Sequence, residues 1–126
     1  MAPAQASLLA KLDTQERVRD FLTNAVASGR ASHAYLFLGA PGVGKLDAAW
    51  ALAQAFLCEQ DGCGACDSCV RVARHTHPDV HYYTPESAMG YLIAQTRELL
   101  DDVPLAPIRA KAKVYIIDRA EQLRAN

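Results

Sequence analysis

Cys58, Cys63, Cys66 and Cys69 form a C-x4-C-x2-C-x2-C array that accounts for every cysteine in the chain. Four thiolates at this spacing suit a tetrahedral zinc ion, whose closed ligand shell and lack of redox chemistry make such a site structural. Gly62 and Gly64 permit tight turns between the ligands. Residues 1–10 lack the basic start and long apolar run of a secretory signal, so a reducing cytoplasm is expected and disulfides are disfavoured. An iron–sulfur cluster fits less well without a redox context. The loop holds few apolar residues, so bound metal would supply its folding free energy. His75, His77 and His81 could replace a ligand, but with four cysteines at hand each reads as a surface or loop histidine.

A second chemical feature lies upstream. Gly39, Ala40, Pro41, Gly42, Val43, Gly44 and Lys45 fit G-x-x-x-x-G-K, the core of a phosphate-binding loop. Its glycines let successive backbone N–H groups converge on phosphate oxygens. The following helix adds positive potential, and Lys45 would reach the outer phosphates. The next position calls for Ser or Thr, whose hydroxyl helps to hold Mg²⁺, and is Leu46 instead. Asp47 adds a carboxylate close to where a triphosphate would lie, although it suits the helix dipole. Weak, metal-poor ATP or ADP binding is the expectation. Near the far end, the apolar run Val114, Tyr115, Ile116, Ile117 finishes in Asp118. Such an Asp at the carboxyl edge of a parallel sheet would hold the metal shell; capping the next helix is the alternative reading. The following residue is Arg119, a permanent cation that cannot serve as a base.

These residues need elements to position them. Asp13 and Glu16 have capping-box spacing, and Val18, Phe21, Leu22, Ala25 and Val26 recur at helical period until Gly29. Residues 34–38 (AYLFL) read as a strand buried on both faces. The Ala- and Leu-rich stretch 44–57 reads as a helix buried against the sheet. A helical turn or two is expected over 70–74, a strand over 79–83, a helix over 91–103 ended by Pro104 and Pro107, and a strand over 114–117. The opening turns of a further helix follow over 118–126. The alternation implies an α/β fold, a parallel sheet with flanking helices.

Composition bounds the function. The 126 residues are 51% hydrophobic and 21% charged, with a net charge of −1, as in an ordinary folded domain. No run approaches the ~18 apolar residues of a transmembrane helix, so no membrane role is expected. No segment forms a basic arm, so DNA contact on charge alone is disfavoured. A zinc-bearing nucleic-acid module is the reading this balance argues against.

Together, residues 33–37 (HAYLF), the 39–45 loop, the cysteine cluster, His77-Pro78-Asp79-Val80 and 113–118 (KVYIID) resemble the bacterial DNA polymerase III clamp-loader subunits of the AAA+ superfamily. The resemblance runs from about Thr14 to the end. It implies that residues 1–126 are the N-terminal part of an AAA+ nucleotide-binding domain of the P-loop type, incomplete, with a small four-cysteine zinc insertion at about 58–75. Gly39, Gly42, Val43, Gly44, Lys45, Leu46 and Asp118 would then line the nucleotide site, with no catalytic residue. Leu46 and Arg119 stand where the ATP-hydrolysing gamma/tau branch has Thr and Glu, and HPDV resembles the delta-prime branch, a stator without competent ATPase chemistry. The 96–101 segment (TRELLD) is also similar to gamma/tau, which keeps an active ATPase of that type as the alternative. Implied partners are gamma/tau and delta subunits, with primed DNA and the sliding clamp reached through the assembly. A polymerase label belongs to that holoenzyme. The spacing of the first two cysteines is shorter than in the family. The family's fourth strand, its serine-arginine-cysteine motif, its lid and its collar lie beyond residue 126. Without that strand the sheet would have open inner edges and the monomer would be marginal.

Overall fold

The computed structural model describes residues 7–9, 12, 15–30, 32–40 and 42–123. Asp13, Thr14, Pro41 and residues 124–126, on which parts of the sequence reading fall, lie outside them. The chain divides into two compact units, Met1–His77 and Pro78–Asn126. The described helices and strands make a mixed α/β chain with a small parallel sheet. No described helix is long and apolar enough to cross a membrane.

The first unit is helical. Helix α1 (Glu16–Ala27) opens behind Gln15 and ends with Gly29 N–H on the Val26 carbonyl and Arg30 N–H on the Ala25 carbonyl, the paired bonds of a glycine-stopped helix. Helix α2 (Lys45–Leu57) buries Ala48, Trp50, Ala51, Ala53, Gln54, Ala55 and Leu57. Runs of alanine let neighbouring backbones approach closely, and α2 packs against α1 on one side and helix α3 (Asp67–Ala73) on the other. Leu9, Leu22, Val26, Ala51 and Ala55 form the core, with Tyr35 and Phe37 packed onto it. Gln54 is buried among these apolar groups because both ends of its amide are used. Its Oε1 accepts from Leu8 N–H at 2.8 Å, and its Nε2 donates to the Cys69 carbonyl at 3.0 Å.

Two expectations change here. Residues 34–38 do not form a strand, and within the first unit the neighbours of α2 are the helices α1 and α3. A strand exists by its ladder of backbone hydrogen bonds, and no described segment pairs with 34–38. Nor is the segment buried on both faces: Tyr35 and Phe37 stack at 6.4 Å and pack on the core, while Leu36 and Leu38 are 72% and 82% exposed.

The second unit is a strand–helix–strand crossover. Strands β1 (Val80–Tyr83) and β2 (Val114–Ile117) pair in parallel, with Val80 opposite Val114 and Tyr83 opposite Ile117. Helix α4 (Ile93–Asp102) supplies the connection that a parallel pair requires. Its third residue, Gln95, is buried and reaches back to accept from Leu92 N–H at 2.9 Å and Glu86 N–H at 3.2 Å while donating to the Thr84 carbonyl at 2.7 Å. Beyond β2 the chain makes only a short 3₁₀ turn, Ala120–Gln122, in place of the helix expected there over its described residues.

Candidate metal centre and nucleotide motifs

The cysteines converge because the chain turns sharply between α2 and α3. Cys58 caps the end of α2, and Cys66 caps the start of α3, its sulfur accepting from Cys69 N–H. Between them Asp61, Gly62 and Gly64 all have positive φ. At Gly62, a Cβ would also lie 3.3 Å from Ala55 Cα, so glycine lets the loop close against α2.

The four sulfurs all lie within 4.8 Å of one another. Cys58 and Cys66 are 3.8 Å apart, and Cys63 and Cys69 are 4.0 Å apart. A regular tetrahedron with Zn–S of about 2.3 Å has sulfur edges of about 3.8 Å. The thiol group therefore has the shape that can hold a metal ion. Backbone amides surround it: Gln60 and Cys63 N–H point at Cys58 Sγ, Ala65 and Cys66 N–H at Cys63 Sγ, and Cys69 N–H at Cys66 Sγ, all at 3.2–3.4 Å. Amide donors of this kind offset thiolate charge. Burial works to raise the Cys58 pKa, but donors from Cys63, Gln60 and Gly62 outweigh it and bring it to about 7. Burial pushes Cys66 and Cys69 up instead. One sulfur is thus ready to ionise, whereas a cation's charge is needed to draw protons from those two.

The histidines lie elsewhere. His75 sits in the left-handed turn after α3 and stacks on Trp50 with ring centres 3.8 Å apart. His77, read from sequence as a surface or loop residue, is buried. His81, in β1, lies 3.3 Å from the Asp102 carboxylate.

The glycine-rich segment that ends in Lys45 leads into α2. Gly42 and Gly44 have φ of 83° and 95°, and Gly44 is the cap residue of the helix. The left-handed conformation there lets the backbone turn directly into a helix whose first N–H groups have no intrahelical partners. Lys45 folds back on its own loop, donating from Nζ to the Gly39 carbonyl at 2.8 Å. Leu46 and Asp47 occupy the first turn of α2, with no side-chain hydroxyl at the position after Lys45.

Asp118 belongs to the second unit, immediately after β2. Its N–H donates to the Tyr83 carbonyl at 2.8 Å, and the Tyr91 hydroxyl lies between the Asp118 carbonyl and the Tyr83 carbonyl, 2.9 Å from the latter, with its one proton shared between these two acceptors. Its carboxylate accepts from the Tyr82 hydroxyl at 2.8 Å. Burial and then this carboxylate push the Tyr82 phenol up. Arg119 adopts a left-handed conformation and donates to Thr84 Oγ1 at 3.0 Å.

Two carboxylates went unrecognised as organising groups. Asp79 is fully buried and accepts from Ile108, Arg109 and Ala110 N–H at 2.6–2.7 Å. Asp102 accepts from the Tyr115 hydroxyl at 2.5 Å and Lys113 Nζ at 3.0 Å, and these two donors hold its carboxyl below the usual range. Both sets of bonds span more than ten residues of sequence, and only the Pro-Asp step before a strand hinted at the first.

A model for a family described as DNA polymerase III, delta subunit, matches residues 14–126. The chain belongs to that family. Among curated relatives of this family member, the DNA polymerase III delta-prime subunit of Bacillus subtilis is 38% identical over 117 residues, covering 90% of this chain and 35% of the relative. The tau subunit of Escherichia coli is 39% identical over 113 residues, covering 86% and 17%. The gamma/tau subunit of Mycobacterium tuberculosis is 35% identical over 113 residues, covering 86% and 20%. The chain thus spans about a third or less of these relatives, and similarity alone does not divide delta-prime from tau.

Proposed function

We propose that this chain is the N-terminal part of a delta-prime-type clamp-loader subunit in bacterial DNA replication, an AAA+ domain that acts as a stator rather than as an ATPase. Residues 58–75 form its zinc insertion, with Cys58, Cys63, Cys66 and Cys69 as ligands. Gly39, Gly42, Val43, Gly44, Lys45, Leu46 and Asp118 form a degenerate nucleotide site with weak affinity for ATP or ADP. Its partners are the gamma/tau and delta subunits, through which it reaches primed DNA and the sliding clamp in the cytoplasm. The observation that carries this reading is Leu46 on the first turn of α2, after a loop that keeps its glycines and lysine. The amides and lysine suffice for phosphate contact, but leucine offers no oxygen to Mg²⁺. Arg119, bonded to Thr84, stands where a base would be required.

A gamma/tau-type ATPase is the second reading, supported by the 39% identity to tau. Steady-state ATP hydrolysis by the full-length protein, with Lys45→Ala as control, separates the two. The stator reading expects no Lys45-dependent turnover; turnover abolished by Lys45→Ala would overturn it in favour of the second.

A further inference from the structure

On the degenerate-site reading above, Asp118 is the carboxylate that would serve a nucleotide-bound divalent cation, and its surroundings in the second unit bear on whether it can. In the parallel pair, Tyr82 lies opposite Ile116, and Asp118 follows Ile116 by two residues, so Tyr82 and Asp118 share one face. The Tyr82 hydroxyl meets the Asp118 carboxylate at 2.8 Å. The Asp118 backbone is held at both ends, its N–H on Tyr83 and its carbonyl under the Tyr91 hydroxyl, so only the side chain is left to turn. Arg119 turns back through a left-handed conformation to Thr84, just past the end of β1. Both residues following β2 are therefore tied to the β1 edge.

We infer that Tyr82 withholds the Asp118 carboxylate from a divalent cation, and this rests on the degenerate-site reading above. A carboxylate that collects a cation or its bound water offers its oxygen lone pairs, and the phenol occupies one of them on Oδ2, so a cation there has to compete with that bond. Tyr82 is a positioning residue in this account, since it acts only through Asp118. Phenylalanine in its place keeps the ring and removes the single donor.

Two measurements on the full-length protein test this. In a thermal-unfolding cycle of Tyr82→Phe, Asp118→Asn and the double variant, the hydrogen bond predicts non-additive shifts of about 2 °C. In titrations of Mn²⁺ with ADP followed by electron paramagnetic resonance, Tyr82→Phe should bind Mn²⁺ about 3- to 10-fold more tightly than the parent, a range typical of one partly exposed bond to a charged group. The gain should vanish in the double variant. Additive melting shifts, or Mn²⁺ affinity unchanged by Tyr82→Phe, would overturn the inference while leaving the stator reading intact. Lys45-dependent ATP turnover by the parent protein would overturn the stator reading instead, and the melting cycle would still report on the bond.

Discussion

Asp79 shows how much one side chain can organise. It follows Pro78, is 0% exposed, and gathers three consecutive backbone N–H groups of the 108–110 turn. A buried carboxylate is tolerated only when such donors replace its lost water. Its own carbonyl accepts from Val114 N–H at 2.8 Å, so the same residue begins the β1–β2 pairing. We expect Asp79→Ala to destabilise the second unit by about 2–4 kcal/mol, because it strands donors as well as removing bonds. Asp79→Asn, which keeps one acceptor oxygen, should cost less, and chemical denaturation of both variants checks the order. Equal losses would assign the effect to packing alone.

At the scale of elements, the α2–loop–α3 segment depends on its sulfur cluster. Helix α3 has seven residues, too few for independent helicity, and its cap is the Cys66 sulfur. The α3 residues buried are Cys69 and Val72, and Gln54 ties α2 to the Cys69 carbonyl. Metal analysis is expected to find one zinc ion per chain. Cys66→Ser should lose it and speed amide hydrogen exchange over residues 58–73 by at least about tenfold, with β1 and β2 little changed. A metal-free parent protein with the same slow exchange would refute this dependence. The helices and both paired strands were legible in sequence to within a few residues, because α1 carries a clear period of 3.6 and β2 an unbroken apolar run. The strand expected over 34–38 does not form, because an apolar run describes side chains, whereas a strand needs a neighbour to bond with.

For the whole molecule, the unsatisfied surface is the main feature. Leu36 and Leu38 stand bare in the first unit, and in the second Met89, Leu100, Leu105 and Ile108 are each more than 60% exposed. Apolar area of this kind is a site of association unless something covers it. Residues 1–126 on their own should therefore self-associate at micromolar concentration. Leu36→Lys with Leu38→Lys should shift the sedimentation profile toward monomer. A monodisperse, cooperatively melting parent monomer would count against this expectation.

Residue order alone determined the chemistry that could occur: four thiols at metal-ligand spacing, a glycine loop ending in Lys45, and the replacements at Leu46 and Arg119. These are local features, so spacing and residue type suffice to read them. Tertiary structure decided which groups meet. It brought the four sulfurs within 4.8 Å of one another, stacked His75 on Trp50, and placed the Tyr82 hydroxyl on Asp118, 36 residues away. Contacts across such separations depend on strand register and turn geometry, which no local pattern encodes.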